Sequence, residues 1–229
     1  ELAKSFNMEL IPEVKCLSGF NFYPGPEGVR LEETIRPLLE PPSPHAPKWV
    51  QRKRETSRIK PTLKMENEAV YDLLFAVLDE VYELFDQPGT MHLGLDEGWD
   101  FAGSGYDKPN DVLLANHILR LHEYSQRKGF RIAMWGDQLL APTDYTDIDG
   151  EVLRFNLHGG PPFHTASAID RIPKDILVCS WHYHPHESYP PVRDIEAKGF
   201  ITYGVPWHDK TNIVNMAKEV VDCGADGLM

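Results

Sequence analysis

Apolar residues recur along this chain in two periods, and each period predicts a kind of element. Val70, Leu73, Leu74, Val77, Leu78, Val81, Leu84 and Phe85 fall three and four apart, as on one face of an amphipathic helix. Leu114, Ile118 and Leu121 mark a second helix in the same manner. The short apolar runs 91–95 and 176–181 read as buried strands. At four places a helical pattern ends at Asn or Gly and an apolar run follows: Asn7 before 8–13, Gly129 before 130–135, Gly199 before 200–203 and Gly224 before 225–229. Asn and Gly tolerate the left-handed backbone that ends a helix and turns the chain back.

About six β/α units result, and alternating strands and helices imply a parallel sheet with right-handed crossovers. No GxGxxG or P-loop turn marks a doubly wound nucleotide fold. Polar and aromatic residues instead gather where strands end: Glu13, Asp96 and Glu97, Trp135 and Asp137, Trp181 and Tyr183, Trp207 and Asp209. Several strand ends converging on one site is how a (β/α)8 TIM-type barrel builds its catalytic face. Such a barrel takes roughly 250 residues. The expectation is therefore one α/β domain over 1–229, an incomplete barrel lacking about its first two units.

Two stretches break the rhythm. Residues 24–61 hold eight prolines and a cluster of basic residues without a clear period, which reads as a long loop on the active-site side, either a lid or binding wall or a mobile loop with no role. Residues 144–173 read as a second insertion.

Composition narrows the classes. Hydrophobic residues make up 41% and charged residues 25%, ordinary for a globular protein. A net charge of −12 repels phosphate backbones and argues against nucleic acid as a partner. No run of 18 apolar residues predicts a membrane span. Cys16, Cys179 and Cys223 are odd in number, far apart and without zinc spacing, so they read as free thiols. Compartment and oligomeric state stay open.

The chemistry centres on the run from Met91 to Trp99. If the strand continues to its end, His92, Gly94 and Asp96 share the inner face and Leu93 and Leu95 the outer one. Asp96 then points inward, and Glu97 lies just beyond it. Two close carboxylates push one pKa upward, so one serves as a general acid while its partner stays ionised. Glycoside cleavage needs that division. Trp135, Trp181, Tyr183 and Trp207 supply the flat apolar faces on which a sugar ring stacks.

Two other classes draw on the same residues. Glu13, His92, Asp96, Glu97 and Asp137 could form an oxygen-rich site for Mg²⁺ or Mn²⁺. A barrel that binds carbohydrate without turnover would keep the aromatic pocket alone. His182, His184 and His186 alternate like a metal tract, but Pro185 interrupts them, and a solvated loop is the expected reading.

The run His92-Leu93-Gly94-Leu95-Asp96-Glu97 resembles the His-x-Gly-x-Asp-Glu signature of glycoside hydrolase family 20, the β-N-acetylhexosaminidases. Leu10-Ile11-Pro12-Glu13 resembles the family's Ile-Pro-Glu strand, Met134-Trp135-Gly136-Asp137 its next Trp-containing strand end, and Trp181 the one after. The resemblance implies a retaining hydrolase in which the substrate's own 2-acetamido oxygen attacks the anomeric carbon, giving an oxazoline-like intermediate. Asp96 would orient and polarise the acetamido group, and Glu97 would protonate the leaving oxygen and then activate water. Trp135, Trp181 and Trp207 would wall the pocket, with His92, Asp137, Tyr183, Asp209 and Glu13 among the substrate-binding residues. The substrate would carry a terminal β-linked N-acetylhexosamine, and no metal or organic cofactor is implied. The chain departs from the pattern at Lys15 and Phe20, where the family has an acid and a histidine. Trp207-His208-Asp209 stands where a tyrosine and an aspartate follow the penultimate strand.

Overall fold

Parallel strands pair in chain order in the computed structural model, which describes residues 5–6, 8–18, 33, 35–56, 62–101 and 107–229. They are β1 (Thr90–His92), β2 (Arg131–Trp135), β3 (Leu177–Trp181), β4 (Ile201–Val205) and β5 (Gly227–Leu228). Each neighbour pair is parallel, so every strand ends at the same side of the sheet. The helices are α1 (Lys48–Thr56), α2 (Glu68–Leu84), α3 (Asn110–Lys128), α4 (Pro190–Ala197) and α5 (Lys210–Cys223).

Strand parity divides the apolar residues between two cores. Ile132, Met134 and Val178 point to the helices and join their buried faces. Ala133, Leu177, Cys179, Trp181 and Val205 form a smaller cluster on the opposite face, with Trp135, Ile201 and Tyr203 against it. The register sets Trp135 beside Cys179 and Trp181 beside Val205, so this second row climbs to two tryptophans at the strand ends.

The helix signals hold where they rest on caps. Gly129 and Gly224 end α3 and α5 in the left-handed conformation, with φ of 90° and 79°. Leu114, Ile118 and Leu121 are buried, as expected. Asn67 caps α2 by accepting a hydrogen bond from the Ala69 N–H. The buried stripe of α2 is narrower than its periodicity suggests: Val70, Tyr71, Leu74, Leu78 and Tyr82 are inside, whereas Val77 and Leu84 are exposed. The expected junction at Asn7 lies outside the described residues.

Two expected strands are corrected. Residues 8–13 form only an isolated parallel bridge from Glu13 to His92. The Pro12 carbonyl accepts from His92 N–H, and the N–H groups of Val14 and Cys16 donate to the His92 and Leu93 carbonyls. This lane continues the sheet beyond β1, but Pro12 has no N–H to give and Met8, Leu10 and Ile11 are exposed. The 91–95 run stops being a strand at His92, because Gly94 and Leu95 take φ of +66° and +68°.

The proline-rich stretch is more ordered than a loop over its described part. Leu39 bridges Leu63, α1 lies between them, and Leu39, Ala46 and Val50 are buried. Asp100, fully buried, gathers both ends of this excursion: it accepts from the N–H groups of Ser43 and Thr62 and from the Thr62 hydroxyl. Residues 144–173 form a long ordered connection that includes a short helix, Ala166–Asp170, and the bridge Thr146 to Val152. Cys16 and Cys179 are buried free thiols, and Cys223 is half-buried. Among the described residues no helix is long and apolar enough to cross a membrane.

Candidate active site

At the strand ends a cleft of about 310 Å³ is lined by Glu13, Lys15, Asp96, Glu97, Trp135, Asn156, Trp181, Tyr183 and Val205. Its two walls are built differently. The aromatic wall grows from the sheet. Trp135 is the last residue of β2 and its indole N–H donates to Glu13 at 3.1 Å. Trp181 closes β3, only 7% exposed, and its N–H reaches Asp137 at 3.3 Å. Tyr183 packs beside Trp181 with ring centres 4.8 Å apart.

The acidic wall follows β1 through a contorted turn. Gly94, Leu95 and Glu97 all have positive φ. For Leu95 and Glu97 that conformation costs on the order of 1–3 kcal/mol each and persists only where the surroundings enforce it. Leu95 is wholly buried. Ser18 donates to the carbonyls of Asp96 and Glu97 at 2.6 and 3.0 Å. The Glu97 N–H donates to Asp137 at 3.0 Å. Backbone bonding to β2 continues, Leu93 N–H donating to the Ala133 carbonyl and Trp135 N–H to that of Gly94, but the alternation predicted for 91–95 is lost. The contacts with Ser18 and Asp137 turn both carboxylates towards the cleft even so.

Asp137 joins the walls from beneath. Buried in the first turn after β2, it accepts from Glu97 N–H, Trp181 Nε1 and His158 Nδ1, the last at 2.7 Å. His158 in turn lies against Trp99, with ring centres 4.3 Å apart.

Electrostatics separate the two acids. Burial, reinforced by Asp137 and Asp96, pushes the Glu97 carboxyl up to about 7, with His158 and Lys15 pulling the other way. Burial and Asp137 also hold Asp96 above the ordinary aspartate range, but Lys15 opposes them. The Lys15 ammonium donates to both Asp96 oxygens, at 2.9 and 3.0 Å, and pairs with Glu13 at 2.9 Å. Burial resists the charge on Glu13, yet its contacts with Lys15, His92 and Trp135 keep its pKa below the ordinary value. A partly buried acid that is neutral below pH 7 can donate a proton, and a neighbour held by an ammonium can remain an anion.

Six of the ten expected site residues line this cleft: Glu13, Asp96, Glu97, Trp135, Trp181 and Tyr183. His92 and Asp137 are buried supports. The His92 ring lies 4.4 Å from that of Trp135, its Nδ1 accepts from Gly94 N–H, and burial lowers its pKa to about 4. Trp207 is not in the lining; it is 56% exposed and packs on Tyr183 at 4.5 Å between ring centres. Asp209 is a helix cap, its carboxylate accepting from Asn212 N–H at the start of α5. Phe20 lies outside the described residues.

The histidine tract is not a solvated loop throughout. His182 is fully buried, its Nδ1 accepting from Asn156 N–H and its Nε2 bonded to Ser180, and burial lowers its pKa to about 3. His186 leans on Phe155. Among the described residues no group of three or more His, Cys, Asp or Glu is arranged to hold a metal ion. In the acidic cluster the cationic place between Glu13 and Asp96 is filled by Lys15.

Sequence reasoning missed Lys15, Ser18, Asn156 and His158 as parts of the site. Lys15 was visible only as a departure from a motif. Ser18 and His158 lie on irregular segments with no period to place them. Asn156 lines the cleft and accepts the Tyr183 N–H, again from an irregular segment.

No protein-family model matches the chain, and no curated protein matches it. Among solved structures it is similar to a glycoside hydrolase family 20 β-N-acetylglucosaminidase, with a TM-score of 0.50 at 16% identity over 89% of this chain and 35% of that one. Dispersin B has a TM-score of 0.48 at 19% identity over 96% of this chain and 57% of its own. A β-N-acetylhexosaminidase from Bacteroides fragilis NCTC 9343 has a TM-score of 0.46 at 17% identity over 87% and 33%. The chain thus spans between a third and three fifths of the length of these structures, and what it shares with the family 20 enzyme is the α/β fold with its parallel sheet.

Proposed function

We propose that this chain carries the catalytic cleft of a (β/α)-barrel glycosidase that releases a terminal β-linked N-acetylhexosamine. The observation that carries the reading is the Asp96–Glu97 pair opening on an aromatic cleft, with one carboxyl pushed up to about 7 and the other held by an ammonium. Sequential pairing of parallel strands, with all active groups at their ends, is the arrangement a barrel requires.

In this reading a pyranose stacks on Trp135 and Trp181. Glu97, protonated below about pH 7, gives its proton to the leaving glycosidic oxygen. Charge grows on the anomeric carbon as that bond breaks, and the substrate's acetamido oxygen closes on it. The acetamido N–H becomes more acidic as its oxygen bonds to carbon. The Asp96 carboxylate accepts from it more strongly in the transition state than in the ground state, which is where a contact accelerates a reaction. Glu97, now an anion, takes a proton from the water that opens the cyclic intermediate, and the acid is restored.

Hydrolysis of aryl N-acetylglucosaminide and N-acetylgalactosaminide tests the proposal, with the aryl glucoside as control. Turnover is expected with the acetamido sugars, and a thiazoline mimic of the intermediate should inhibit it. A covalent ester trapped on Asp96 or Glu97 by a 2-fluoro sugar would replace substrate assistance by a protein nucleophile. Sugar binding without turnover would make this a carbohydrate-binding barrel.

A further inference from the structure

Lys15 lines the same cleft as the two acids, with its ammonium turned to Asp96 and Glu13. Its stem passes over Gly94, where an added Cβ would stand 2.9 Å from Lys15 Cδ. Gly94 also has a φ of +66°, so the turn that carries the acids and the slot that admits the lysine depend on one residue. From there the ammonium grips both oxygens of Asp96 at 2.9 and 3.0 Å, and Glu13 anchors it from the other side at 2.9 Å. Glu13 is itself fixed by the Trp135 indole N–H. The chain Trp135–Glu13–Lys15–Asp96 therefore links the aromatic wall to the acidic one.

We propose that Lys15 is the positioning residue of Asp96: it holds that carboxylate ionised and turned to a single orientation in the cleft, ready to accept the substrate's amide N–H. The inference rests on the hexosaminidase reading above. Its physical basis is the company Asp96 keeps. Asp137, which is bonded to His158, and Glu97 are acids close enough to interact with it, and Tyr183 lines the same cleft. Among the described residues Lys15 is the cation in direct contact with the Asp96 side chain, and two charge-assisted hydrogen bonds fix a carboxylate in plane as well as in charge. In the absence of Lys15, burial and Asp137 are opposed only by a backbone hydrogen bond at Asp96 itself, and the neutral form of Asp96 gains.

Lys15→Met tests this, with Lys15→Arg as the charge-restoring partner. In the wild type kcat/KM should fall on the acid side as Asp96 is protonated and on the basic side as Glu97 ionises. Lys15→Met should move the acid limb up by about one pH unit or more, the scale of a lost opposite charge at contact distance, and lower kcat more than it changes KM. Lys15→Arg should bring the acid limb back while recovering only part of kcat. Carboxyl ¹³C NMR of Asp96 reads the same shift in protein that turns over nothing. An Asp96 titration that is unmoved in Lys15→Met overturns the assignment, as does a uniform loss of rate with both limbs in place. A wild type that cleaves no N-acetylhexosaminide overturns the hexosaminidase reading instead, and the NMR titration still decides whether Lys15 keeps Asp96 ionised. If Lys15→Met does not fold, an acid limb in Lys15→Arg displaced as far as one unit overturns the proposal.

Discussion

The two walls of the cleft hold their side chains by different means. Trp135 and Trp181 are the last residues of regular strands, and their places follow from ladder register and strand parity. Asp96 and Glu97 stand on a turn with three positive-φ residues, kept in shape by Ser18, Asp137 and burial of Leu95. The first wall draws its backbone placement from cooperative pairing, so altering a side chain there removes contact area and one indole hydrogen bond, to Glu13 or Asp137, but leaves the backbone in place. The second depends on single hydrogen bonds, so removing one partner misplaces the chemistry. Positional error of about 1 Å can cost 10²-fold in rate.

The largest break should come from Glu97→Gln. Loss of the acid should lower kcat about 10²- to 10⁴-fold for substrates with basic leaving groups, and much less for activated aryl glycosides. The fall in wild-type rate above about pH 7 should vanish with it. The same change should stabilise the fold at alkaline pH. The folded pKa of Glu97 lies above its unfolded value, so stability is lost as pH rises from about 4.5 through 7. Thermal melts at pH 8 should favour Glu97→Gln by on the order of 2 kcal/mol, and melts at pH 4 should not.

Asp137→Asn comes next, because it strikes both walls at once. It weakens the hold on Glu97 N–H, Trp181 and His158, and a drop of about 10²-fold in kcat is expected. It also removes a negative charge that raises the Glu97 pKa, so the alkaline limb of the rate profile should move to lower pH. A limb that stays in place would separate Asp137 from Glu97. Trp135→Leu should do less and do it differently, raising KM by about tenfold, the worth of one good ring contact, with a smaller fall in kcat as Glu13 loses the indole N–H that fixes it. The smallest effect is expected from Ser18→Ala. Freeing the carbonyls of Asp96 and Glu97 should cost about 1 kcal/mol, read as a drop in Tm of about 2–4 °C for a chain of this size, with a disproportionate fall in kcat. Equal sensitivity of kcat to Trp135→Leu and Ser18→Ala would erase the distinction between the walls.

The same contrast explains what could be read beforehand. Gly129 and Gly224 were recognisable because a helix end needs a left-handed residue, and both deliver it. Trp135 and Trp181 were legible because they close apolar runs. Asp96 and Glu97 were found by their pairing and their resemblance to a motif, although the alternation used to aim them fails at Gly94. Trp207 and Asp209 lie at the right strand end yet outside the cleft, since position along a strand does not tell which side chain turns outward or caps the next helix. Lys15, Ser18 and His158 act through contacts spanning 81, 78 and 21 positions, and no local pattern announces such pairs.

Asp100 has a wider consequence. Its buried carboxylate pins Ser43 and Thr62 three residues beyond Glu97, so the excursion between them starts and finishes at a fixed clasp. The entropic cost of closing a loop grows only with the logarithm of its length. Length added at exposed positions beyond the clasp therefore costs the turn that bears the acids little, whereas Ala46 and Val50 are buried and Trp49 packs on Trp99. That makes the exposed positions next to Ser43 a place where lineages or engineers can refit this surface while the proton donor stays where it is.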